Sequence, residues 1–183
     1  FLISHQPSSL LPTIKSRCLK INLPNHNYDN FSNIIEISNN DINEETKKFL
    51  YDITNGSPGL INEYEFDEIL NIFERLINLI EDKDPFSESN NDTIKFLSSL
   101  DNDQLKIFLS FIKFILITIN KIKLGINITK NYLSDSVLKI QTISDKISSD
   151  IIQRKLDYLI NNENDLFTFN LDKKIFMINF IAE

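Results

Sequence analysis

The side chain best suited to chemistry in this sequence is an arginine. Arg17 is one of only three arginines, with Arg75 and Arg154, in a chain that otherwise uses lysine. It stands between Ser16 and the sole cysteine, Cys18, in the stretch LLPTIKSRCLKI, residues 10–21. A guanidinium is a planar fork of donors that matches the oxygens of a phosphate, whereas a lysine ammonium is a point charge on a flexible stem. Two readings of Arg17 follow. Either it caps the C-terminal end of a short helix, where a cation is favoured, or it projects from a rigid turn toward a phosphate. Cys18, at the start of an apolar run, reads as a buried and inert thiol.

Other chemistries find little to build on. His5 and His26 are the only histidines, and neither has a second ligand at helical spacing. With one cysteine, neither a zinc set nor an internal disulfide framework is expected. The three glycines are Gly56, Gly59 and Gly125, and the GSPG at 56–59 lacks the lysine of a nucleotide loop. No spacing of Ser, His and Asp suggests a nucleophile with its base. The acidic runs at 63–68 and 81–84 read as solvated helix faces and ends. A net charge of −7 and a pI near 4.9 give the molecule no overall basic footprint for nucleic acid. The longest apolar run, residues 105–119, is too short for a bilayer and contains Lys106 and Lys113, so a buried helix is expected. No charged-then-apolar leader opens the sequence and its first residue is Phe1, so it reads as a piece of a larger protein.

Elements that position Arg17 can be read from the pattern. FLIS at 1–4 suggests the end of a buried strand. Ser8 or Ser9 is an N-cap candidate for a helical turn from Leu10 to Ser16. CLKINL at 18–23 alternates with period two, as a half-buried strand does, and Pro24 ends it. Helical periodicity then takes over. Phe31, Ile34 and Ile35 share one face, and Phe49, Leu50 and Ile53 share another after an acidic first turn. At NGSPG, Gly56 suits a left-handed cap, while Ser57 and Pro58 open a long helix over 58–81. Further helices are predicted at about 92–100, 102–124, 134–161 and 170–182. The helix at 102–124 is apolar around much of its circumference. It is either exposed to a partner or wholly sheathed by its own bundle.

The motifs resemble those of a known family. FLISHQPSSLLPTIKSRCLKINL resembles the end of the ATPase core of bacterial clamp-loader subunits, which belong to the AAA+ class. GSPG resembles the lid motif of the same family. The closing FNLDKKIFMINFIAE is similar to the last helix of the delta-prime branch in alphaproteobacteria. The resemblance implies a mainly α fold in three parts: a short remnant of the α/β AAA+ core at 1–24, a helical lid at 25–66 and a helical collar at 67–183. It implies that Arg17 is an arginine finger acting in trans on ATP bound by the neighbouring subunit, with Ser16 and a buried Cys18 placing it. Gly56, Ser57, Pro58 and Gly59 would form the lid motif. Hydrolysing members carry an arginine after the lid Gly-Ser pair, where this chain has Gly59, so a subunit that does not hydrolyse ATP is implied. No cofactor is expected in the chain itself. The implied partners are gamma/tau and delta subunits through the collar, and indirectly the sliding clamp and primed DNA. The setting would be the cytoplasmic DNA polymerase III assembly. A gamma/tau-type subunit and a helical interaction module unrelated to replication are the alternatives.

Overall fold

The computed structural model describes residues 2–3, 10–38, 42–60, 66–126 and 134–183. Among these, the regular structure is helical and no strand is present. The helices are α1 (Pro12–Lys15), α2 (Tyr28–Ser38), α3 (Glu44–Thr54), α4 (Phe66–Glu81), α5 (Glu88–Ser99), α6 (Asn102–Lys123), α7 (Ser134–Lys146), α8 (Ser149–Thr168) and α9 (Lys173–Ala182), with a 3-10 turn at Pro58–Leu60.

The central helix is α6, and local chemistry delimits it at both ends. Asp101 accepts from the Gln104 amide at 2.8 Å, and Gln104 Oε1 accepts from the Asp101 amide at 3.3 Å, closing a capping box. At the other end Gly125 takes φ +70°. Its amide donates to Ile122 O and that of Ile126 to Lys121 O, which satisfies the last carbonyls. Between these ends Leu105, Phe108, Leu109, Phe111, Ile112, Ile115, Leu116 and Ile119 are buried. Helices α3, α4, α5, α7 and α8 all pack against α6. Ile117 is its one large apolar side chain that stays exposed. The apolar circumference is therefore taken up inside the bundle, and of the two alternatives for this helix the sheathed one holds.

Around α6 the apolar core is continuous, from Phe31 and Ile35 in α2 to Phe180 and Ile181 in α9. Phe49 of α3 meets Phe73 of α4 edge to face at 4.9 Å, which ties the first helices to the later ones. Glu74 pairs with Lys139, and Glu81 with Lys146. Both pairs join residues 65 apart in sequence and lie seven residues apart on each helix, so α4 and α7 run parallel. At half-exposed sites such pairs contribute little energy, but they fix the register of the two helices.

Several predicted boundaries move, and the helix expected from about residue 92 starts at Glu88 behind the Ser87 cap. The helix expected over 134–161 is two helices, because Ser148 caps a new start by accepting from the Ile151 amide at 3.4 Å. Helix α8 continues past residue 161 to Thr168, with Asn161 exposed and Leu166 returning to the core. The helix expected over 58–81 is a 3-10 turn at Pro58–Leu60 and then α4 from Phe66, residues 61–65 lying outside the described set.

Between α4 and α5 the chain is held by one fully buried side chain. The Asn90 amide donates to Asp82 O at 3.2 Å and to Asp84 O at 2.8 Å. Replacing Asn90 by Asp turns that donor group toward acceptor on acceptor. The N90D variant is expected to lose about 3 kcal/mol of stability at neutral pH, as read by urea denaturation.

Candidate functional site: the Ser-Arg-Cys turn and the glycine corner

Helix α1 is a single turn. Pro12 occupies its first position, where its missing N–H costs nothing, and Leu11 is the N-cap without a side-chain bond. The expected caps Ser8 and Ser9 lie outside the described residues. The turn closes through its backbone. Lys15 N donates to Leu11 O at 3.1 Å, Ser16 N to Pro12 O at 3.0 Å and Arg17 N to Ile14 O at 3.1 Å. Ser16 adds a bond from its hydroxyl to Thr13 O at 3.2 Å. Arg17 thus leaves the turn from a backbone held on both sides. Its side chain is exposed and has no partner among the described residues.

Two expectations about this segment are corrected. Cys18 is exposed, not buried. Residues 18–23 form no strand, and Leu19, Ile21 and Leu23 are 90%, 74% and 90% exposed. The reason is shared. A period-two segment becomes a strand only against a neighbour that supplies ladder hydrogen bonds, and the described residues offer none.

The glycine corner is built differently. Helix α3 ends with Asn55 at φ 50° and Gly56 at φ +73°, so the left-handed cap expected at Gly56 alone is shared with Asn55. The Gly56 amide donates to Tyr51 O at 2.9 Å and that of Ser57 to Thr54 O at 3.1 Å, after which Pro58 opens the 3-10 turn. His26 N donates to Gly56 O at 3.3 Å, which lays the segment after Pro24 onto the corner. A β-carbon on Gly56 would stand 2.5 Å from His26 O, whereas one on Gly59 meets nothing within 4 Å. Gly56 is a steric necessity; Gly59 is not. Among the described residues, no hydrogen bond or ion pair joins Arg17 to this corner.

Beside it, α2 and α3 are clasped by polar groups. Tyr28 donates to Glu44 Oε2 at 2.7 Å, and Lys47 donates to Glu36 at 2.5 Å and to Glu44 at 3.4 Å. Burial and the Glu44 bond push the Tyr28 phenol well above its ordinary range, and the same bond holds Glu44 below its own. The hydrogen bond to Glu36 holds Lys47 above its usual value.

One charged centre escaped the sequence reading. Lys155 is only 1% exposed, and its Nζ donates to Phe180 O and Ile181 O, both at 2.8 Å, while lying 4.8 Å from the Phe180 ring centre. It caps the last carbonyls of α9. A signal was present: Lys155 falls on the same helical face as Ile152, Leu156 and Leu159, a spacing that belongs to core residues. Burial pushes its ammonium down to about 8; Glu183 opposes that shift and Arg154 and Lys83 add to it.

Among the described residues no helix is long and apolar enough to cross a membrane, and no three His, Cys, Asp or Glu side chains gather as a metal site. Compared with known proteins, the chain matches no family model, no curated protein and no solved structure.

Two predictions follow from this geometry. Gly56→Ala combines a left-handed backbone with a steric overlap and is expected to destabilise by about 2–4 kcal/mol. Gly59→Ala, in open space, is expected to change stability by less than about 0.5 kcal/mol in the same denaturation assay. For Lys155, the folded ammonium titrates near 8 and the unfolded one near 10.5. Between those values the unfolded chain binds more protons, so this residue's contribution to stability rises with pH across the window. From pH 7 to pH 10 the native chain is expected to gain about 2 kcal/mol relative to Lys155→Met. Urea titrations of both proteins at the two pH values check it.

Proposed function

We propose that this chain is a clamp-loader component of the delta-prime type, which does not hydrolyse ATP and presents Arg17 to the nucleotide site of a neighbouring subunit. The observation that carries the reading is the state of Arg17: exposed, without a partner among the described residues, and leaving a turn closed by its own backbone. A finger acting in trans must be held at its base and uncommitted at its tip. Arginine suits the task because its delocalised charge meets the charge that develops on a transferring γ-phosphate.

Further features support the same reading. Residues 18–23 alternate apolar and polar side chains without a ladder, as suits a segment whose sheet partners lie outside the described residues. The space around Gly59 would admit a side chain, so the missing lid arginine is a chemical difference and not a packing requirement. A gamma/tau-type subunit is the less favoured form of the reading for that reason. The division into core remnant at 1–24, lid at 25–66 and collar at 67–183 belongs to this proposal, as do the gamma/tau and delta partners and ATP on the adjacent subunit. A helical interaction module is the second reading. The uninterrupted core from α2 to α9 favours it, since that core gives the helices a body of their own.

The test mixes the 183-residue chain with bacterial gamma/tau and delta subunits and reads assembly by size and turnover by phosphate release. Arg17→Ala is expected to leave assembly unchanged and to lower ATPase at the neighbouring site by roughly 10³-fold or more. Arg17→Lys is expected to recover little of it. An assembled ring with full activity in Arg17→Ala ends the finger assignment. Failure to assemble at all ends the clamp-loader reading and leaves the interaction module.

A further inference from the structure

Where the end of α9 meets α8 and the α4–α5 connection, the surface opens into a pocket of about 210 Å³. Its charged lining is Lys83, Arg154, Lys155 and Glu183, against apolar walls from Ile151 and Ile181. Three cations share the lining with Glu183 in a chain whose net charge is −7. Like charges gathered in one recess raise one another's free energy.

Lys155 is the second observation. It is buried, and two of its three N–H groups are used by the carbonyls of Phe180 and Ile181. Among the described residues no third oxygen accepts from its Nζ, which lies 4.8 Å from the Phe180 ring centre on a side chain that lines the pocket. Arg154 and Lys83 are exposed, but their charges act on Lys155. The volume holds roughly seven waters at the liquid value, which is room for a tetrahedral anion and its remaining hydration.

We propose that this pocket binds a phosphate-type anion, either inorganic phosphate or the terminal phosphate of a small ester, on Lys83, Arg154 and Lys155. Arg154 supplies a planar fork for two oxygens and the lysines supply point charges. A terminal phosphate is favoured over the phosphodiester of a nucleic acid for two reasons. The site is a recess and not a stripe, and the acidic molecule offers no continuous basic track for a backbone. The site stands apart from Arg17 and does not depend on the clamp-loader reading.

The bound anion relieves the repulsion among the three cations, so it stabilises the fold while Lys155 is charged. The charged groups acting on Lys155 are Glu183 from the end of α9, Arg154 from α8 and Lys83 from the α4–α5 connection. Tyr158, also on α8, is engaged with Phe176 O at 3.1 Å. Above pH 8 the neutral amine keeps two N–H groups for the two carbonyls and loses the one the anion needs.

Thermal unfolding of the 183-residue chain in sodium phosphate, against sodium chloride at equal ionic strength, tests the proposal. The double variant K83Q/R154Q serves as the comparison, since both side chains are exposed and the fold does not rest on them. At pH 7 and phosphate about five times its Kd, the wild type is expected to melt about 2–4 °C higher, and the variant to shift by much less. Glycerol phosphate should act like inorganic phosphate, and an oligonucleotide lacking terminal phosphates should not. At pH 9.5 the shift is expected to fall. Equal shifts in both proteins mean general salt exclusion from the surface and overturn the site. No shift with phosphate overturns it too, and stabilisation by the oligonucleotide alone would assign the pocket to a phosphodiester. A shift unchanged at pH 9.5 removes Lys155 from the site.

Discussion

Helix α6 is the constraint from which the rest of the molecule follows. A helix of 22 residues with buried apolar side chains on most of its faces cannot rest against a single neighbour. Each fully covered Leu, Ile or Phe stabilises by about 1.5–3 kcal/mol relative to exposure, so every uncovered face would cost an appreciable part of a domain's net stability. The solution is a sheath. Helices α4, α7 and α8 cover most of it, and α3 and α5 cover what remains. Helix α9 enters at second hand, packing on α5 and α8. The Phe49–Phe73 contact joins the first helices to the same core, so the early and late helices share one apolar interior.

Arg17 and Lys155 show how one sign of charge serves opposite ends. The Arg17 side chain is exposed and has no hydrogen-bond or ion-pair partner among the described residues. The ammonium of Lys155 is inside, where burial weakens its hold on a proton. It holds the end of α9 by two bonds to carbonyl oxygens that survive deprotonation. One cation stands in solvent, the other closes a helix end.

Much of the helical plan was legible because apolar spacing reports a face directly. The stripes of α2, α3 and α6 and the end of α6 near residue 124 needed nothing beyond the sequence. The break between α7 and α8 was harder: Ile147 is buried beside it, so the apolar pattern runs on, and only the weak cap signal of Ser148 marks the restart. The alternation at 18–23 has the pattern of a strand but forms none, for a different reason. Alternation tells which side chains share a face, but pairing needs a second segment that no local pattern names. Cys18 is exposed for the same reason. Lys155 stayed hidden because a lysine reads as solvated by default, although its position in the α8 stripe said otherwise. The Ser-Arg-Cys motif made Arg17 conspicuous in the sequence. Whether its guanidinium was committed to a neighbour took the fold to answer.

The segment from Leu19 to Leu23 carries a consequence for handling the molecule in isolation. Three large aliphatic side chains stand in water on an irregular backbone, in the alternation that intermolecular cross-β pairing uses. Lys20 interrupts the run with a charge, Asn22 with an amide, and Pro24 removes the next ladder donor. These are gatekeepers in the sense that applies to exposed sheet edges: they raise the free energy of stacking copies without touching the folded body. Lys20, Asn22 and Pro24 therefore act against self-pairing of this segment while contributing nothing to the core.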